Sequence, residues 1–272
     1  MVFVAWIGLS VGSFLNVVIY RLPVMLERDW RRQAREVLAL SPSDEEADGG
    51  RFDLIVPRSR CPGCQAPVKA WHNVPVVSWI VLRGRCAACG MRIPVRYLVV
   101  EVLTAVCTLA VVTAFGYTWV TLVALGFTWA LIALAFIDYD TRLLPDGITL
   151  PLLWAGLLVN LSGGFVDLSA AVAGAVAGYL VLWAVYWAFK LVAGKEGMGY
   201  GDFKLLAALG AWFGWQALPM LILLSSIAGI VIGGTVLLLR RRREPIPFGP
   251  FLAVAGFVTL LARDTLSTLL HF

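Results

Sequence analysis

Charged side chains are scarce in this chain. Asp, Glu, Lys and Arg make up 14% of its 272 residues while 60% are hydrophobic. The mean hydropathy of +0.84 lies well outside the range of soluble globular domains. No G-x-G-x-x-G follows a strand-like run, which excludes a Rossmann-type cofactor site. The first apolar run, 2–21, has no basic segment ahead of it and no A-x-A site behind it, and Arg21 follows directly. The run is therefore expected to be a membrane span rather than a signal peptide.

What the chain has instead is apolar sequence in runs near the ~20 residues that cross a bilayer. They predict an all-α polytopic membrane protein of about eight spans: 2–21, 97–115, 118–138, 147–161, 168–192, 202–214, 217–239 and 248–269. The fourth and sixth are short, and the sixth, rich in Ala, Leu and Gly, also reads as a re-entrant or tilted segment. Charge sets the orientation. Thirteen of the 22 Lys and Arg fall between Arg21 and Arg96, and Arg142, Lys190, Lys195, Lys204 and Arg240 to Arg243 add eight. With eight spans all of these share one side, and only Arg263 falls near the other. By the positive-inside rule that side is cytoplasmic and both termini lie outside. The net charge of +5 follows from this placement and points to no nucleic acid. Trp119, Trp154 and Trp215, near span ends, read as interfacial anchors.

The polar stretch 22–96 is the one candidate soluble domain, between a first transmembrane helix at 1–21 and a transmembrane domain at 97–272. It opens with a mixed-charge helical pattern from Leu26 to Leu40. An acidic run at 41–50 follows, which reads as a solvated linker or as an attractive patch for a basic peptide. Then come Cys61-Pro62-Gly63-Cys64 and Cys86-Ala87-Ala88-Cys89. Two C-x-x-C pairs at this separation supply four thiolates for a closed tetrahedral site, as in zinc ribbons. Cytoplasmic thiols are kept reduced, so zinc is favoured over disulfides. With four cysteines the shell is complete, and the metal is structural, a clip for a domain with too little core of its own. Gly63 and Gly90 are expected to help the chain turn around the pairs. His72 is then a surface residue, and Cys107, inside the second span, a small packing residue.

Two aspartates stand at the mouths of apolar segments. Asp138 lies in Phe136-Ile137-Asp138-Tyr139-Asp140, ahead of Leu144-Pro145-Asp146; Asp202 closes Gly197-Met198-Gly199-Tyr200-Gly201-Asp202. Ionisable groups beside hydrocarbon are costly and mark functional sites. Two convergent carboxylates are the minimum equipment for acid–base hydrolysis of a peptide bond, one ionised as base and one protonated as acid. The pattern reads as a membrane aspartyl protease. Asp140 and Asp146 are rivals for Asp138, otherwise solvated loop residues or supports. Lys204 reads as a snorkelling lysine or as one that steers substrate or forms an ion pair, and Glu101 as a partner for a loop arginine. The glycines before Asp202 are expected to clear the approach of an extended substrate backbone. The carboxylates alone would also serve a proton-coupled, non-enzymatic membrane protein, or a signal-peptide or presenilin-like protease.

Longer motifs narrow this choice. Gly12-Ser13-Phe14-Leu15-Asn16-Val17-Val18-Ile19-Tyr20-Arg21-Leu22-Pro23, Pro57-Arg58-Ser59-Arg60 and Arg83-Gly84-Arg85 before the two cysteine pairs, Asp138 through Asp146, Gly197 through Lys204, and Pro247-Phe248-Gly249-Pro250 together resemble the type IV prepilin peptidase family. The likeness runs from about residue 8 to about residue 255, and the N-terminus looks short. The resemblance implies an inner-membrane enzyme that cuts the basic leader from type IV prepilins or type II secretion pseudopilins. It assigns catalysis to Asp138 and Asp202. It also implies methylation of the new N-terminus, usually Phe, by S-adenosylmethionine, in the loop region that carries the cysteines. Some members of the family are peptidases only.

Overall fold

The computed structural model describes residues 1–40, 51–69, 74–195, 197–235 and 247–262. Among them every regular element is helical, two isolated β-bridges aside. The acidic run at 41–50, His72, Arg240 to Arg243, Arg263 and the far ends of the spans expected at 217–239 and 248–269 lie outside the described residues. Among the described residues five helices are long and apolar enough to cross a membrane: Val2–Val37, Arg96–Phe115, Trp119–Thr141, Leu168–Ala193 and Trp215–Ile232. Asp146–Leu161 and Gly249–Leu261 are shorter apolar helices. The chain divides into two compact units, Met1–Leu109 and Ala110–Phe272.

In the first unit, α1 (Val2–Val37) does not stop where the apolar run ends. Pro23 lies inside it and removes one backbone donor, yet the helix continues as an exposed polar rod. Arg31 pairs with Glu27 at 2.5 Å and Arg32 with Asp29 at 3.2 Å, the i,i+4 and i,i+3 contacts that support a solvated helix. Arg21 is buried and donates to the carbonyls of Asp53 (2.8 Å) and Pro57 (2.5 Å). Those bonds strap the segment 51–57 onto α1. The segment is itself tied by Asp53, whose Oδ1 accepts the Ile55 and Val56 N–H groups at 2.7 Å each. A short helix, α2 (Val77–Val81), and the start of α3 (Arg96–Phe115) complete the unit. Asn16 joins α1 to α3 by donating to the Tyr97 carbonyl at 3.1 Å.

In the second unit α4 (Trp119–Thr141), α5 (Asp146–Leu161), α6 (Leu168–Ala193), α8 (Leu218–Ala228, extended by a π-helical turn to Gly233) and α9 (Gly249–Leu261) surround α7 (Tyr200–Phe213). Leu205, Leu206, Leu209 and Trp212 of α7 are 0–1% exposed. Lipid is as apolar as leucine, so such a centre is held by close packing and internal hydrogen bonds rather than by escape from water. Both devices are present. A Cβ on either Gly174 (α6) or Gly210 (α7) would collide with the other's carbonyl, so these helices cross backbone to backbone. Asn160 is fully satisfied: its Nδ2 donates to the Ala211 and Trp212 carbonyls, and its Oδ1 accepts the Phe165 and Val166 N–H groups. Trp212 returns a bond from its Nε1 to the Leu152 carbonyl at 2.8 Å. These bonds lock α5 against α7, whose first turn carries Asp202.

Candidate active site and metal centre

The cysteine pairs sit in two copies of one backbone motif, offset by 25 residues. In the first, Cys61 N–H donates to the Ala66 carbonyl (3.0 Å), Gln65 N–H to Cys61 (2.8 Å) and Val68 N–H to Ser59 (2.9 Å). In the second, the same bonds run from Cys86 to Met91 (2.8 Å), Gly90 to Cys86 (2.9 Å) and Ile93 to Gly84 (2.8 Å). Each copy is closed by an antiparallel bridge, Arg60 with Pro67 and Arg85 with Arg92. The left-handed turn position is Gly90 (φ 72°) in one and Gln65 (φ 56°) in the other. The turning role expected of Gly63 therefore falls to Gln65. Gly63 is small for another reason: a Cβ there would lie 2.6 Å from the Met91 sulfur of the second copy.

The four sulfurs lie within 4.8 Å of one another, and Cys61 and Cys89 are 3.8 Å apart. Zinc with Zn–S bonds of about 2.3 Å in a tetrahedron holds its sulfurs about 3.8 Å apart, so the donor set and the spacing suit that ion. Backbone N–H groups of Cys89 and Ala88 pull the Cys86 thiol down to about 6. For Cys89 the Met91 N–H acts the same way, but the hydrogen bond with Cys64 and burial prevail and push it up to about 11. Four thiols this close cannot all ionise without a cation among them. Cys107 is buried, apart from the cluster, as a packing residue would be.

The carboxylate site belongs to the second unit. Thr118 caps the start of α4 in a reciprocal box with Thr121. Its end is set by Arg142, in left-handed conformation, whose N–H bonds the Asp138 carbonyl at 2.8 Å. Asp138 thus occupies the last turn of α4. Pro145 then starts α5, while Gly199 precedes α7 and places Asp202 in its first turn. Asp138 is 5% and Asp202 7% exposed, and the two lie within electrostatic reach of each other. Asp140, by contrast, is exposed.

The two aspartates differ in partners. Asp138 Oδ2 accepts the Gly249 N–H at 3.0 Å, at the N-terminus of α9, where backbone donors are unsatisfied and favour an anion. A Cβ on Gly249 would stand 2.5 Å from that oxygen, so only glycine admits the carboxylate. Asp202 Oδ1 is buried, with no hydrogen-bond partner among the described residues. The sequence showed the Pro247-Phe248-Gly249-Pro250 motif but not this bond, which spans 111 residues.

Two further expectations, for the glycines before Asp202 and for Glu101, are revised, and the alternatives for Lys204 narrow to the ion pair. Gly197 packs on the Phe189 ring and Gly201 on Leu144, so these two serve packing, and Gly199 alone faces open space. Lys204 forms an ion pair with Asp146, Nζ to Oδ1 2.7 Å and Oδ2 2.8 Å, which fastens the start of α5 to α7. Glu101 forms no ion pair with an arginine among the described residues; its Oε2 accepts the Val76 N–H at 2.8 Å. Trp119, Trp154 and Trp215 are exposed.

Comparison with known proteins covers nearly the whole chain. Residues 6–115 match the Bacterial Peptidase A24 N-terminal domain, and residues 125–234 match the Type IV leader peptidase family. A protein of Aeromonas hydrophila named prepilin leader peptidase/N-methyltransferase is 58% identical over 262 residues, 96% of this chain and 90% of that protein. Proteins of the same name are 56% identical in Pseudomonas putida, over 95% of this chain and 89% of that protein. In Pseudomonas aeruginosa the figure is 51%, over 98% and 92%. No solved structure gives a significant match.

Proposed function

This chain belongs to the type IV leader peptidase family, and on that premise we propose that it is a membrane aspartyl endopeptidase cutting the basic leader from type IV prepilins or type II secretion pseudopilins, between Gly and a residue that is usually Phe. It then methylates the new N-terminus with S-adenosylmethionine, the second activity in its relatives' name. The observation that carries the hydrolytic half is the pair of buried carboxylates at the ends of two apolar helices, one held by the N-terminus of α9 and one with an oxygen, Asp202 Oδ1, that has no partner among the described residues.

The different partners divide the labour. Asp138, accepting the Gly249 N–H, is the general base that takes a proton from water. Asp202 carries the shared proton and donates it to the scissile carbonyl oxygen as the hydroxide adds. Two close carboxylates cannot both ionise cheaply, so one proton resides on the pair at rest. Collapse of the tetrahedral adduct breaks the C–N bond and returns a proton to the leaving amine, giving the leader's carboxyl group and the mature N-terminus.

Cys61, Cys64, Cys86 and Cys89 hold one structural zinc, which closes the two knuckles on each other. The enzyme is multi-pass in the bacterial inner membrane, with the carboxylate mouth toward the cytoplasm, both termini periplasmic and lipid around its helices. A prepilin helix spans the same membrane with its basic leader inside, so the scissile bond reaches the pair by lateral approach. Deep unwinding, which would orphan backbone groups in hydrocarbon, is not needed. The test is purified protein in detergent with a prepilin and S-adenosylmethionine, read by mass. Loss of the leader with gain of one methyl group supports both activities. Loss of the leader alone removes the methylase, and an unchanged substrate overturns the whole.

A further inference from the structure

The second unit carries a cleft that its own helices leave unfilled. It lies between α4 and α5, holds about 360 Å³, and every side chain lining it is apolar. α5 packs chiefly on α7 and touches α4 little, which leaves the gap. The cleft follows α5 from Gly147 to Val159, about 18 Å at the ~1.5 Å rise of a helix. Its floor is rigid. Phe127 and Trp212 are each 1% exposed, their ring centroids lie 4.5 Å apart, and the Trp212 bond to the Leu152 carbonyl fixes the indole.

One end of the cleft is tied to the chemistry. At the start of α5, Leu144 packs on Gly201 and Asp146 pairs with Lys204, the residues that bracket Asp202. Gly147 follows directly. Pro151 lines the same cleft one helical turn further on. Proline has no N–H, so the helical bond that would close on the Gly147 carbonyl is not made. In hydrocarbon a carbonyl deprived of its donor is costly. An acyl chain has no donor to give it, whereas the first turn of an incoming helix brings up to four unused N–H groups.

The walls point the same way. Gly126 of α4 and Gly147 of α5 both line the cleft. Neither has a left-handed φ, and a Cβ on either would meet no atom within 4 Å. Gly156, Gly178 and Gly256, by contrast, are seated against Trp212, Leu206 and Leu209. Glycine weakens a helix, and at 126 and 147 the chain gains no packing of its own in return. A missing Cβ there admits the backbone of a further helix at close range, as small residues do between helices in lipid.

We propose that this cleft docks the transmembrane helix of the prepilin, its first turn at Gly147 and its apolar flank along Gly126 and the Phe127–Trp212 floor. The proposal rests on the leader-peptidase reading above and goes beyond it by naming the face of the enzyme that the substrate approaches. On that reading the prepilin helix starts on the cytoplasmic side, just after the scissile bond, and runs outward. The Gly147 end, fastened to the first turn of α7, is where such a helix has to begin for its junction to meet Asp202.

The experiment uses full-length, zinc-loaded protein in lipid vesicles with a prepilin. Gly126→Leu and Gly147→Leu add bulk where the chain itself leaves space, so each should melt like the wild type yet raise KM for prepilin at least about tenfold. Val176→Leu, at an exposed position on α6, should keep the wild-type KM. A second measurement holds even if a glycine variant fails to fold. A benzophenone amino acid at Val123 or Ile148, both in the cleft, in Asp202→Asn protein that leaves its substrate uncut, should cross-link to prepilin, and one at Val176 should not. Wild-type KM in both folded glycine variants overturns the docking site. So does label from 123 and 148 that goes to lipid or to a second copy of the chain and not to prepilin. In both cases the peptidase reading stands while the wild type cleaves. A wild type that leaves prepilin uncut overturns that reading, and the docking site with it.

Discussion

The sharpest consequence of the carboxylate geometry is the response to one added methyl group. In Gly249→Ala the new Cβ would lie 2.5 Å from Asp138 Oδ2, 3.0 Å from its Cγ and 3.3 Å from its Cβ. Three atoms of one side chain are crowded at once, so rotating the carboxylate does not relieve the clash, and the 5%-exposed Asp138 has little room to retreat. The atoms separate by stretching the 3.0 Å bond from the Gly249 N–H. A hydrogen bond to a charged acceptor is worth roughly 1.5–3 kcal/mol, and each 1.36 kcal/mol is tenfold in rate. The variant should therefore lose about ten- to a hundredfold in kcat for leader cleavage. KM should change little, because the prepilin helix and leader do not depend on that bond. The assay is cleavage in detergent over a range of prepilin concentrations, with melting and monodispersity checked alongside. A folded variant with wild-type kcat, or one whose loss lies wholly in KM, refutes the role given to Gly249 and the assignment of Asp138 as the base it holds.

Other outcomes follow from the same observations. Asp138→Asn and Asp202→Asn should each abolish leader cleavage in a folded, membrane-inserted protein, whereas Asp140→Asn, at an exposed position, should cleave like the wild type; activity in either of the first two sinks the catalytic pair. Serine at Cys61, Cys64, Cys86 or Cys89 should lower zinc content by elemental analysis and destabilise the first unit. About one zinc per chain is expected in the wild type, and a fully active preparation without zinc refutes the metal. The Val56 and Ile55 N–H groups hold the Asp53 carboxyl below its ordinary range. Their support for segment 51–57 is complete above the ordinary carboxylate pKa of about 3.9 and fades as pH falls through the folded value. Hydrogen-exchange protection of 51–57, corrected for the intrinsic pH dependence of amide exchange, should fall on acidification in the wild type and lose that dependence in Asp53→Asn; equal profiles refute the linkage. Single cysteines near 142 and 195, in a background without Cys107, should resist an impermeant thiol reagent on spheroplasts, while those near 117 and 164 should react. Labelling of the first pair from outside inverts the topology.

The sequence by itself determined whatever is written locally. Runs of apolar residues dictate helices in hydrocarbon, because only internally bonded backbone is stable there. Paired C-x-x-C spacing brings thiols together through two short turns, and Pro145 marks the break after Asp138. Asp138 and Asp202 were legible as candidates because a carboxylate in an apolar segment is conspicuous one residue at a time. Only the tertiary structure decided their partners. The Gly249 N–H reaches Asp138 across 111 residues, Asn160 clasps the end of α7 from 51 residues away, and Glu101 turned out to hold the Val76 backbone amide. The same limit explains the glycines before Asp202. A missing side chain reads alike in sequence whether it makes room for substrate or for Phe189 and Leu144. Helix periodicity fixes which residues share a face within a few turns, but which face meets which neighbour is set by packing between segments far apart in the chain, and that packing gave the two aspartates different surroundings.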